Sequence, residues 1–200
     1  MQGVFFDLDG TLLNQEATQG LAKRFFQHFR LSLPNISAKT FFKTFRKVNQ
    51  TLYEELMQKN ISGIELLSQR FPKTLKALEV INKNDLALEM QQMWDELYYN
   101  HYSLFDQVIP MLSTLKTRNK TLAIITNGLI DIQIKKIQKF PELQKVMDVI
   151  IISEEYGINK PDPRIFQICL ERTAITDPQK VLFVGNSIET DIEGAKAAGM

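Results

Sequence analysis

Two aspartates spaced two apart close the first apolar run of the chain, Val4-Phe5-Phe6-Asp7-Leu8-Asp9-Gly10-Thr11. Side chains two apart on an extended strand share a face, so Asp7 and Asp9 are expected to point the same way where a buried strand over Val4 to Leu8 ends. Crowded carboxylates cost free energy unless a cation or a proton transfer makes use of them. Gly10 permits a sharp turn and Thr11 adds a hydroxyl. The plain alternative is a surface turn, because Asp, Gly and Thr all favour turns. Against it, Asp-x-Asp-Gly-Thr arises by chance in only roughly one chain of this length in several hundred.

Three later stretches carry polar residues in comparable settings. Thr126-Asn127-Gly128 comes after an apolar run and opens onto a helix, whose first backbone N–H groups are expected to form an anion site. In Asn159-Lys160-Pro161-Asp162-Pro163, Pro161 biases Lys160 towards an extended conformation. Asp162 reads there as a helix N-cap and Pro163 as the first helical residue, which mounts the lysine on a stiff turn. Gly185-Asn186-Ser187-Ile188-Glu189-Thr190-Asp191 ends a further run and places the Asn186 and Asp191 oxygens near the same sheet edge.

Periodicity predicts the strands and helices that carry these residues. Thr121–Thr126, Val149–Ile152 and Val181–Val184 are short apolar runs separated by helical patterns, from about Asp106 to Arg118 and onward from about Leu129. Strands alternating with helices predict a doubly wound parallel sheet, with ligands bound at the carboxyl ends of its strands. Between Thr11 and Phe105 the pattern is helical throughout, as in Leu21, Phe25, Phe26 and Phe29, or Phe42, Phe45, Asn49, Leu52 and Leu56, or Leu86, Met90, Met93, Trp94 and Leu97. Pro34, Gly63 and Pro72 are expected at turns between the helices. The reading is an α/β, Rossmann-like core over residues 1–13 and 104–200, with an inserted all-helical domain over 14–103. The sequence stops after a helix where one more strand is expected.

In order and spacing, Asp7-Leu8-Asp9-Gly10-Thr11, the strand ending at Thr126, Lys160 in its Lys-Pro-Asp-Pro setting, and Gly185-Asn186-Ser187 with Asp191 resemble the four motifs of the haloacid dehalogenase superfamily. The helical insert resembles the cap of that family's helical-cap branch. The resemblance implies a magnesium-dependent phosphatase in which Asp7 attacks phosphorus and Asp9 serves as general acid and base. It further implies that Thr126, Asn127 and backbone amides hold the phosphoryl oxygens while Lys160 balances their charge. Magnesium would be bound by Asp7, the Asp9 carbonyl, Asn186 and Asp191, with the cap closing over a small phosphorylated metabolite. Position 186 departs from the family pattern, which has an acid there. Dehalogenases of the family lack the second acid of the first motif, which this chain has. A phosphomutase and a non-catalytic ligand-binding descendant are the other readings.

A formal charge of +1 gives no reason to expect nucleic acid or an anionic membrane as partner. Lys116, Arg118, Lys120, Lys135, Lys136, Lys139 and Lys145 are expected to form a solvated helix surface. His28 and His101 have no metal-ligand companions at useful spacing and read as packing or surface residues. Cys169 is the single cysteine, which excludes an intrachain disulfide and suits a reducing compartment. No apolar run approaches membrane-spanning length, and the first strand leaves no room for a signal peptide, so the expected location is the cytoplasm.

Overall fold

The computed structural model describes residues 1–14, 20–80 and 83–200. The chain divides into two compact units, Met1–Gln15 with Tyr102–Met200, and Glu16–His101.

The first unit carries the strands β1 (Gly3–Phe6), β2 (Leu13–Asn14), β3 (Ser103–Leu104), β4 (Thr121–Thr126), β5 (Val149–Ile152) and β6 (Val181–Val184). Four of them form a parallel sheet in the order β5-β4-β1-β6, with Phe6 opposite both Ile124 and Val184. β4, β5 and β6 fall on the expected residues, because strands of a parallel sheet are nearly continuous apolar runs. β6 is the exception in burial. It ends the sheet as described, and its Leu182 and Val184 face outward, 51% and 36% exposed. β1 is shorter than expected, since the regular strand ends at Phe6. The N–H groups of Leu12 and Leu13 both donate to the Leu8 carbonyl, at 3.1 and 2.8 Å, and close a tight turn just past the two aspartates.

β2 and β3 pair antiparallel at the two ends of the insert, Leu13 opposite Leu104. They correct the expectation of an uninterrupted helical stretch, since two residues are too few for an alternating pattern to register.

The second unit is helical: α1 (Leu21–Phe29), α2 (Ala38–Met57), α3 (Gly63–Ala77) and α4 (Asn84–His101). Ser37 caps α2 by accepting from the Thr40 N–H at 3.1 Å. Ser62 and Glu65 form a capping box at the start of α3. Pro72 corrects the expected turn, for it lies inside α3. A proline there costs about 3 kcal/mol in lost hydrogen bonding and crowding. Leu66, Phe71 and Leu75, all buried, hold the helix on both sides of it. Phe41, fully buried, leads the packed face of α2, and Phe42 is only partly buried.

In the first unit, α5 (Val108–Thr117), α6 (Ile130–Gln138), α7 (Pro141–Val146), α8 (Ser153–Tyr156), α9 (Pro163–Arg172) and α10 (Glu193–Ala197) complete the chain. Phe5, Ala123, Ile125 and Phe183 pack with Ile165 and Phe166 of α9 and Ala195 of α10. Val4, Phe6, Leu122 and Ile124 pack with Leu112 of α5, Ile137 of α6 and Leu143 of α7. Alternate residues of one strand therefore serve opposite helix layers, which is the doubly wound arrangement. Among the described residues, no helix is long and apolar enough to cross a membrane.

Candidate active site

Asp7 is the first residue beyond β1 and is 6% exposed. Its N–H donates to the Val184 carbonyl at 2.9 Å, which continues the sheet's bonding by one residue. Lys160 Nζ donates to Asp7 Oδ1 and to Asp191 Oδ1, both at 2.6 Å. Asp7 Oδ2 is buried and has no hydrogen-bond partner among the described residues. Burial raises the Asp7 carboxyl above its ordinary 3.8, with the charge of Asp191 adding to the effect, and Lys160 opposes the rise.

Lys160 is placed from two sides. As expected, Asp162 caps α9, accepting from the Arg164 N–H at 3.0 Å, with Pro163 behind it. Asn127 supplies the other side. Its Oδ1 accepts from the Lys160 N–H at 2.8 Å, and its Nδ2 donates to the Lys160 carbonyl at 3.0 Å. The Asn127 side chain, expected on the phosphate, is thus a bracket for the lysine backbone.

The expected anion site at the start of α6 is also occupied by protein. The Gly128 N–H donates to Ser153 Oγ at 3.0 Å and the Ile130 N–H to Glu154 Oε2 at 2.6 Å. Thr126 keeps its expected place, 1% exposed. Its hydroxyl accepts from Gln133 Nε2 at 2.7 Å, while as a donor it has, among the described residues, only the Asn127 carbonyl at 3.5 Å. Thr11 Oγ1 is a second buried polar atom without a partner among the described residues.

Asp9 has partners from a different layer than Asp7. Lys136 Nζ reaches its two carboxylate oxygens at 2.9 and 2.7 Å, and Gln133 Nε2 reaches Oδ2 at 2.9 Å. Both partners lie on α6, whereas Lys160 stands in the connection between α8 and α9. Asp7 and Asp9 thus lie beyond the regular alternation of β1, which ends at Phe6, and draw their partners from different elements. Lys136, 6% exposed, corrects the solvated surface expected of the lysines. The signal was present in the sequence, because Leu129, Gln133, Lys136 and Ile137 recur at helical spacing and put two polar side chains on the buried stripe of α6.

Asp191 stands in the π-helical turn Ile188–Ile192. Its Oδ1 accepts from Lys160 and its Oδ2 from the Ser187 N–H at 3.0 Å, and the residue is 1% exposed. Both oxygens, expected on a metal, are thus engaged by donors of the protein itself. Gly185 is required for this, because a Cβ there would collide with the Asp191 carboxyl group. Asn186 is exposed, and its amide lies against Gly10, next to Asp9.

Among the described residues, no three acidic, histidine or cysteine side chains converge on a common metal position. The oxygen donors present still fit magnesium, which takes one or two carboxylates and completes its shell with water and phosphate. The unpartnered Asp7 Oδ2 is the observation that supports the fit, since a buried carboxylate oxygen without a donor gains from a nearby cation. Cys169 plays no part, for it is buried among Phe166 and Leu170 and burial pushes its thiol up.

The profile of the haloacid dehalogenase-like hydrolases matches residues 1–199. The pyrimidine 5′-nucleotidase YjjG of Escherichia coli is 28% identical over 98% of this chain and 82% of its own. The HAD-hydrolase YfnB of Bacillus subtilis is 29% identical over 98% of the chain and 80% of its own. A crystal structure of YfnB bound to magnesium superposes with a TM-score of 0.71, at 25% identity, over all of this chain and 86% of that one. A 2-haloacid dehalogenase from Pseudomonas syringae, 23% identical over all of this chain and 84% of its own, shares the fold at a TM-score of 0.72. With sheet order, motif placement and family profile in agreement over nearly its whole length, the chain belongs to the haloacid dehalogenase-like hydrolases.

Proposed function

We propose that the α/β unit is a magnesium-dependent phosphatase for a small phosphorylated metabolite. The observation that carries the reading is Asp7, with one oxygen fixed by Lys160 and the other buried without a partner among the described residues, at the carboxyl edge of a parallel sheet. In this reading Asp7 attacks phosphorus, the bond from phosphorus to the leaving oxygen breaks, and Asp9 gives that oxygen a proton. Water then attacks phosphorus and gives a proton to Asp9, the bond from phosphorus to the Asp7 oxygen breaks, and inorganic phosphate leaves with both acids restored. Thr126 donates a hydrogen bond from its hydroxyl to a phosphoryl oxygen, and Lys160 offsets the added negative charge. The Asp7 carboxylate, the Asp9 carbonyl and the Asn186 amide would hold magnesium, which when bound neutralises phosphoryl charge as a Lewis acid.

Asp9 also weighs against a dehalogenase. A halide is a weak base and departs without a proton, whereas the alkoxide of a phosphomonoester needs one. The test is a panel of nucleoside 5′-monophosphates, sugar phosphates, aryl phosphates and 2-chloropropionate, with magnesium and with a chelator. The name of YjjG puts the nucleotides first. Phosphate release that requires magnesium is expected, with no chloride release. Chloride release without phosphate release would overturn the reading, as would failure to hydrolyse any phosphomonoester.

A further inference from the structure

We propose that Lys136 and Gln133 are positioning residues that hold Asp9 by its Oδ2 and leave Oδ1 to handle the proton. The inference rests on the phosphatase reading and assigns roles to two residues that it does not use. A carboxylate offers about four lone-pair sites, two on each oxygen. Among the described residues, Lys136 at 2.7 Å and Gln133 at 2.9 Å fill those of Oδ2, while Oδ1 has only Lys136, at 2.9 Å. Of these sites, the described residues leave one open, and it is on Oδ1. The Asp9 side chain is 20% exposed and that of Lys136 only 8%, so access exists on the side of the acid.

Gln133 is built for donation. Its Nε2 lies within 3.0 Å of Asp9 Oδ2, Thr126 Oγ1 and the Asn127 carbonyl, while its Oε1 is buried with no partner among the described residues. Gly128 makes room for this amide, because a Cβ there would come within 3.0 Å of Nε2 on a backbone already at φ +146°. One amide therefore touches the hydroxyl assigned to the phosphoryl group and the acid assigned to the leaving oxygen. Lys136 is fixed in turn, its ammonium 4.8 Å from the centre of the Tyr102 ring. Neither residue loses a proton in the reaction; each keeps Asp9 Oδ1 aimed while that oxygen gives and regains one.

The experiment measures kcat and KM of the full-length protein against an alkyl phosphate and an aryl phosphate with a good leaving group, at saturating magnesium. Wild type, Lys136→Met, Lys136→Arg, Asp9→Asn and the double variant Lys136→Met/Asp9→Asn are compared. Lys136→Met should lower kcat for the alkyl phosphate by about ten-fold, below the hundred-fold or more of direct acid–base help. Its KM and its aryl phosphate turnover should stay within about two-fold, and Lys136→Arg should recover part of the loss. In the Asp9→Asn background the Lys136 substitution should have no further effect, since the group it positions is gone. If Lys136→Met does not fold, Lys136→Gln, which keeps a polar side chain without the charge, is read in the same way. Equal loss on both substrates, an unchanged kcat, or an undiminished effect in the Asp9→Asn background would each overturn the positioning role. A wild-type protein inactive on every phosphomonoester would instead overturn the phosphatase reading beneath it.

Discussion

Around the sheet, Lys160 joins Asp7 to Asp191, and Lys136 with Gln133 holds Asp9. The centre of the helical unit is made of rings. Phe25 and Phe45 stack on Phe71, at 5.6 and 5.0 Å between centroids, and both meet Trp94, at 5.2 and 4.8 Å. The helical unit does bury one cation, Arg70, and satisfies it in the manner of a structural group. Its Nε donates to Gln91 at 2.8 Å and its Nη2 to Asp95 at 3.0 Å, with Phe71 and Trp94 beside the guanidinium. In the α/β unit the polar groups keep something back, for Asp7 Oδ2, Thr11 Oγ1 and Gln133 Oε1 are buried without partners among the described residues. A closed polar cluster serves to fix a fold. An incompletely satisfied one carries a standing cost, about 1–3 kcal/mol for each such group, that a water, a reactant or a cation relieves.

The sharpest way to break this contrast is at Asp7. Asp7→Asn should lower phosphatase turnover by about 10⁴-fold or more, as expected for loss of a nucleophile, measured on a preparation shown by mass spectrometry to be free of deamidation. The same substitution should also raise stability in chelator-treated protein, because it removes the buried charge. Since burial raises the Asp7 carboxyl above 3.8, the folded state binds its proton more tightly than the unfolded chain does. Stability from this group is therefore fully present below pH 3.8 and is lost as pH rises through the higher folded value. The melting temperature of Asp7→Asn should exceed that of wild type at neutral pH, and the gap should close towards pH 3.8. A gap that widens on acidification would contradict the sign.

The opposite result is expected from the aromatic core. Phe71→Ala, which opens a cavity between Phe25 and Phe45, should cost about 3–5 kcal/mol of stability in denaturant unfolding. At a temperature where the variant remains folded, its kcat on an aryl phosphate should stay within about three-fold of wild type. A loss of turnover as large as that of Asp7→Asn in folded protein would end this division of labour.

A smaller effect is expected at Asn186. Asn186→Asp adds a carboxylate against Gly10 and beside Asp9. It should lower the magnesium concentration for half-maximal activity by roughly ten-fold, the lower end of what even outer-shell partners contribute to metal affinity. Turnover at saturating magnesium should change less. An unchanged half-saturation point would place residue 186 away from the metal.

Much of the architecture was legible because its physics is local. Thr121–Thr126, Val149–Ile152 and Val181–Val184 are strands on the expected residues, since contiguous apolar runs in a βα alternation have few other ways to be buried. Lys160 on its proline-flanked turn was legible for the same reason, because capping and proline restrict the backbone from within a few residues. Pro72 stays inside a helix, against its turn propensity, because Phe71 and Leu75 hold that helix through packing that propensity does not contain.

What the tertiary structure decided is the pairing of polar groups far apart in the chain. The pattern at Thr126-Asn127 allows a phosphate ligand or a bracket for another loop, and only the approach of residue 160 turns Asn127 into the bracket. Asp191 was legible as an oxygen donor near the sheet edge, but its choice of Lys160 depends on how closely Gly185 lets it approach. Lys136 shows the limit most clearly. A lysine among lysines reads as solvated, and the rotation of α6 on the sheet, set by Leu129 and Ile137, brings it to Asp9, 127 residues away in sequence. Periodicity determines which residues share a face, and the docking of that face determines what they meet.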